Sequence, residues 1–142
     1  MNLINLFKKS FKLIKERNWP HLYVLVDLHG TVLQSTYNHS TISKKFYPKS
    51  IETLRLMSKN PKMKLILWTS TTDAFIKDYI ELFKSKDIHF DFINENPDIE
   101  DTQYASFKDK PYFNVGFDDK FGFNPKKWNK LYKYFKKNEL QK

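Results

Sequence analysis

The chain has 142 residues, 40% of them hydrophobic and 17% aromatic, which suits one packed domain and not a disordered chain. It has no cysteine, so disulfides, thiolate zinc sites and a cysteine nucleophile are excluded. Its net charge of +9 sits at the two ends: residues 1–17 carry five Lys/Arg and one Glu, residues 126–142 seven Lys and one Glu, and 18–125 sum to −1.

In chain order, Leu3, Phe7, Phe11 and Ile14 recur at helical spacing with lysines between them, predicting a basic amphipathic helix over about 2–17. Lys8, Lys9 and Lys12 interrupt any secretory h-region, and no apolar run reaches the ~20 residues of a membrane span, so a soluble, cytoplasmic protein is expected. HLYVLVD (21–27) reads as a first strand, and 32–46, with the polar STYNHST, as a loop or small hairpin. SIETLRLMSK (50–59) is an expected helix with Ser50 as N-cap; MKLILWTS (63–70) is a second strand. Phe75, Ile76, Tyr79, Ile80 and Phe83 mark the clearest helix, 72–86, capped by Thr72 or Asp73. HFDFIN (89–94) is a third strand, a polar loop with Pro97 follows, and YFNVGFDD (112–119) is a fourth. Trp128, Leu131, Tyr132 and Phe135 predict a second basic helix, 126–137. Each terminal helix is expected to lay its aromatic stripe on the body and leave its lysines in water. A basic face for nucleic acid or an anionic membrane is the alternative use.

Strands apolar on both faces that alternate with helices predict an α/β fold, a Rossmann-like three-layer sandwich around a mainly parallel sheet. Right-handed crossovers then put every strand C-terminus on one edge, where open sheets bind ligands. Asp27 and His29, Thr69 and Ser70, and Asp118 and Asp119 are all delivered to that edge. Gly30 and Gly116 stand beside the acidic residues, where close backbone approach is useful. Three carboxylates in one crevice repel unless a cation sits among them, and oxygen donors without cysteine suit Mg²⁺. His21, His39 and His89 show no metal-ligand spacing.

These residues resemble the haloacid dehalogenase-like (HAD) superfamily of phosphotransferases over roughly residues 21–123. Its first motif, Asp-x-Asp-Gly-Thr, is matched by Asp27-Leu28-His29-Gly30-Thr31. Its second, a Thr or Ser ending strand two, is matched by Thr69, with Ser70 as the other register. A Thr there is also what the N-cap region of the next helix wants, so this match adds least. Its third, a Lys ahead of the last core strand, is matched by Lys110 or Lys108, and its fourth, an acidic pair after a hydrophobic strand, by Asp118-Asp119.

The resemblance implies that Asp27 attacks phosphorus and becomes an aspartyl phosphate. It implies that Mg²⁺ is held by Asp27, the His29 carbonyl, Asp118 and Asp119, and that Thr69 and Lys110 hold the phosphoryl oxygens. The departure from the pattern is His29, where phosphatases of the family carry an acid/base Asp. A histidine is expected to take over both proton transfers. Thr69 follows Asp27 by 42 positions and Lys110 follows Thr69 by 41, which leaves no room for a cap domain.

The expectation is therefore a single capless domain, 1–142, acting as a Mg²⁺-dependent phosphomonoester hydrolase. Its expected substrate is a phosphorylated nucleic-acid end, a nucleotide or another small phosphomonoester, with oligomeric state left open. The alternatives are a phosphotransferase with a long-lived aspartyl phosphate, and a basic nucleic-acid-binding protein on a retired fold of this kind.

Overall fold

The structure, a computed structural model, describes residues 2–35 and 41–138. Strands β1 (Leu22–Val26), β2 (Met63–Leu67), β3 (Phe92–Ile93) and β4 (Val115–Phe117) form one sheet in the order β3-β2-β1-β4, parallel throughout. Helices α1 (Leu3–Glu16), α2 (Ser50–Lys59), α3 (Asp73–Ser85) and α4 (Trp128–Lys137) complete an α/β, Rossmann-like three-layer arrangement.

Topology dictates how the layers divide. The steps β1–α2–β2 and β2–α3–β3 run in one direction across the sheet, so right-handed crossovers lay both helices on the same face. The return from β3 to β4 passes over two strands and must cross the opposite face. Packing follows this division. Leu22, Val24 and Val26 of β1 join one core with Phe7 of α1, Leu54 and Met57 of α2, Phe83 of α3 and Trp128 of α4. Tyr23, Leu25 and Ile66 point the other way and are covered by Ile99, Tyr112 and Phe113.

The second outer layer is thus the irregular connection 94–114. That is what its polar, proline-containing sequence predicts, since it lacks an apolar stripe for a helix. It is pinned across the sheet by Asp98, which accepts from the Tyr23 hydroxyl (3.0 Å) and pairs with Lys64 (2.6 Å). Asn96, buried, donates to the Tyr112 carbonyl (2.9 Å).

The terminal helices bury their aromatic stripes as expected. Phe7 meets Phe135 edge-on at 5.0 Å and Phe117 at 5.8 Å. Lys8, Lys9, Lys12, Lys130 and Lys133 are exposed. No described helix is long and apolar enough to cross a membrane.

Two local expectations change. Ser50 is not the N-cap of α2: Lys49 holds that place in a left-handed conformation (φ 69°), and the buried Ser50 hydroxyl donates back to Tyr47 O (2.8 Å). The third strand pairs only over Phe92–Ile93, because the chain turns away at Asn94 with φ 56°. The 32–46 stretch, expected as a loop or small hairpin, is closed by an antiparallel bridge between Leu33 and Phe46, and residues 36–40, including His39, lie outside the described residues.

Candidate active site

The fold fixes where Asp27 goes. β1 is buried along its whole length, and the Asp27 amide still donates to Phe117 O of β4 (2.9 Å), so the side chain emerges beside the residue that follows Phe117. That residue is Asp118, only 9% exposed, whose carboxylate accepts from the Lys120 amide (2.9 Å) and caps the 3-10 turn Asp119–Phe121. This is the point where the chain leaves β1 toward β2 on one side and returns as β4 on the other. A crevice opens beyond strand ends at such a switch.

After Asp27 the chain wraps tightly: Leu28 O accepts from the amides of Thr31, Val32 and Leu33 (2.9–3.2 Å). Gly30 makes the turn at φ 81°, and any Cβ there would lie 2.5 Å from Asp119 Oδ2. The backbone angle favours glycine at this position, and a Cβ would also push the Asp119 carboxylate aside. The fully buried Thr31 ties the halves of the site together. Its hydroxyl donates to Asp27 Oδ2 (3.2 Å) and accepts from the Asp119 amide (3.0 Å). Trp128 of α4 then fastens the loop by donating from Nε1 to Thr31 O (2.7 Å).

The result is a cluster in which Asp27, Asp118 and Asp119 each offer a carboxylate oxygen within 4.8 Å of the others. Burial, and then the neighbouring Asp118 charge, push the Asp27 carboxyl up to about 6; the Leu28 amide and the Thr31 hydroxyl pull the other way. No lysine figures among the leading influences on it. The donor set fits a hard divalent cation: three carboxylates, no softer group, and a charge excess that a cation relieves. The His29 carbonyl accepts no hydrogen bond among the described residues, so it too is free to act as an oxygen ligand.

His29 itself is half-buried, and burial holds its imidazole below the usual range. Its Nε2 lies 2.7 Å from the hydroxyl of Tyr79 on α3, with the rings edge-to-face at 5.5 Å. Tyr79 is 2% exposed, burial raises its phenol above the ordinary value, and its oxygen accepts from the Ser43 amide (3.1 Å).

The remaining expected residues stand apart from this cluster. Thr69 lies on the right edge, one position past Trp68, whose amide donates to Val26 O (2.9 Å). Its hydroxyl is engaged locally with Thr71 (2.9 Å), and its amide donates to the Asn94 side chain (2.8 Å). Ser70 is exposed. Lys110 and Lys108 are exposed on the 94–114 connection, and neither forms an ion pair or hydrogen bond with Asp27, Asp118 or Asp119. The structure therefore brings together Asp27, Asp118 and Asp119, and leaves the lysines outside.

Thr31, Tyr79, Ser43 and Trp128 were not legible as site residues. Thr31 sits inside the first motif, which flags it without saying what its hydroxyl does. Tyr79 follows the apolar period of its helix, so the pattern marks it only as core.

No family model matches the chain, and no curated protein matches it. Among solved structures it is similar to a conserved protein from Bacteroides thetaiotaomicron, at 24% identity over 83% of this chain and 92% of that one, with a TM-score of 0.63. At that identity the likeness is one of fold: both are α/β chains of the same architecture.

Proposed function

We propose that this chain is a Mg²⁺-dependent phosphomonoester hydrolase that works through an aspartyl phosphate on Asp27. The observation that carries this reading is the meeting of Asp27, Asp118 and Asp119 within 4.8 Å at the β1/β4 switch point, held by the Thr31 hydroxyl. Asp27, Asp118, Asp119 and the His29 carbonyl would hold the cation. When bound, it supplies positive charge that lets an anionic phosphoryl group approach three carboxylates.

The chain's own residues do the rest. An Asp27 oxygen attacks phosphorus in line while the bond to the leaving oxygen breaks. Thr31, bonded to the other Asp27 oxygen, keeps the carboxylate from rotating. His29 stands two residues on, where a group that serves the leaving oxygen and the incoming water belongs. Thr69 and Lys110 are proposed phosphoryl contacts that would first have to exchange their present surroundings for substrate.

The test is phosphate release with and without Mg²⁺ from an aryl phosphate, mononucleotides and end-phosphorylated oligonucleotides, with Asp27→Asn as control. Metal-dependent release that the variant lacks supports the reading, and the preferred substrate separates nucleic-acid ends from small phosphomonoesters. Equal release by both proteins refutes it. A second reading, a basic nucleic-acid-binding protein on a retired site, is favoured by one observation: neither Lys108 nor Lys110 contacts the carboxylates. Oligonucleotide binding that falls steeply with salt and is indifferent to Mg²⁺ and to Asp27→Asn would support it.

A further inference from the structure

The Tyr79 hydroxyl has one proton to donate and two lone pairs to offer. The Ser43 amide, a donor, occupies one lone pair at 3.1 Å. The only other polar group bonded to it among the described residues is His29 Nε2, at 2.7 Å. A phenol that is 2% exposed has no water to take its proton, and a buried donor left unpaired costs about 1–3 kcal/mol. The hydroxyl must therefore donate, and Nε2 must accept. A neutral imidazole that accepts at Nε2 carries its proton on Nδ1, a tautomer assigned here from the network. The edge-to-face packing of the rings at 5.5 Å and 74° holds the imidazole in that orientation.

We propose that Tyr79 is a positioning residue that locks His29 in the Nδ1–H tautomer, so that His29 donates a hydrogen bond but has no lone pair to offer water. Its kinetic consequence rests on the phosphoryl-transfer reading above. In the first half-reaction the Asp27–phosphorus bond forms, the bond to the leaving oxygen breaks, and that oxygen is steadied by Nδ1–H and takes its proton from solvent. In the second half-reaction water attacks phosphorus, the Asp27–phosphorus bond breaks, and the water must give up a proton. Nδ1 already carries a proton and the Nε2 lone pair is occupied by the Tyr79 hydroxyl, so neither ring nitrogen of His29 can take that proton and it is lost to bulk solvent. A missing general base costs about 10²–10⁴-fold. With a leaving oxygen that needs no proton, as in an aryl phosphate, the second step is therefore the slow one, and the aspartyl phosphate accumulates.

Two measurements test this. The first uses ¹⁵N-histidine-labelled protein, with His29 assigned by the signal lost in His29→Asn, and reads the protonation of each ring nitrogen from its ¹⁵N shift at pH 7–8. The lock requires a protonated Nδ1 and a bare Nε2, and a change of that pattern in Tyr79→Phe. A protonated Nε2 in the wild-type protein overturns the proposal whatever the activity. The second is acid-quench labelling with a ³²P aryl phosphate and Mg²⁺. Labelled wild-type protein that decays at least about 10-fold faster in Tyr79→Phe supports the proposal. Label with equal lifetimes in both proteins overturns it. Absence of label from the wild type, with the tautomer as stated, overturns the phosphoryl-transfer reading and leaves the lock standing. The wild-type ¹⁵N measurement needs no variant to fold.

Discussion

Replacing Asp27 by asparagine should make the metal-free protein more stable at neutral pH while abolishing its proposed activity. The carboxyl is raised from 3.8 to about 6, chiefly by burial and then by Asp118, so the fold favours its protonated form. A group raised in this way contributes its full stability below the unfolded value, near pH 4, and loses it as pH rises through about 6. At ~1.4 kcal/mol per unit the shift corresponds to about 3 kcal/mol of strain at pH 8. Asp27 is only half-buried and solvent screens part of the effect, so about 1–2 kcal/mol is the expected value. Asparagine keeps the shape and the Thr31 contact and carries no charge. In chelator it should therefore raise the melting temperature by roughly 3–6 °C at pH 8, and by only about a third as much at pH 4.5, where few folded molecules have ionised the group. Mg²⁺ should narrow the gap by stabilising only the wild-type protein, since a ligand that binds the folded state raises its stability. Thermal and urea melts of both proteins at the two pH values, with and without Mg²⁺, make the comparison. A stability difference that is the same at pH 4.5 and 8, or a wild-type protein indifferent to Mg²⁺, would refute the electrostatic account of the cluster.

Further outcomes follow from the same geometry. His29→Asp supplies a base that Tyr79 does not occupy in the same way, and should raise Mg²⁺-dependent phosphate release at least about 10-fold; unchanged or lower release would count against a slow second step. Gly30→Ala places a Cβ 2.5 Å from Asp119 Oδ2 at φ 81°. It should cost about 1–3 kcal/mol in urea unfolding and weaken Mg²⁺ binding by calorimetry. Trp128 is fully buried, stacks on Phe117 at 4.9 Å and holds the Thr31 carbonyl. Trp128→Ala should cost about 3–5 kcal/mol in urea unfolding, and Trp128→Phe about 1–2 kcal/mol through the lost hydrogen bond. Thr31→Val removes the hydroxyl between Asp27 and Asp119 and should raise the Asp27 pKa further, read as a carboxyl titration by NMR.

Local chemistry made much of this protein legible in its residues alone. The short, β-branched apolar run 22–26 reads as a strand covered on both sides, and the 3.6-residue period of 72–86 reads as a helix with one buried face. Parallel strands and right-handed crossovers then carry Asp27, Thr69 and Asp118 to one edge without any coordinates. The aromatic stripes of the terminal helices announced their burial in the same way.

Other features depend on groups far apart in the chain, which no local pattern encodes. The 3.0 Å contact of the Asp119 amide with Thr31 spans 88 positions, and the Tyr79–His29 bond spans 50. Whether a lysine on a 21-residue irregular connection reaches the carboxylates is decided by how that connection crosses the sheet, and here Asp98 and Asn96 pin it elsewhere. Residue type and spacing determined that an acidic, oxygen-rich edge would form. Tertiary packing decided which hydroxyl bridges it, which nitrogen of His29 is occupied and which cations stay outside, because each is a contact between elements brought together only when the chain has folded.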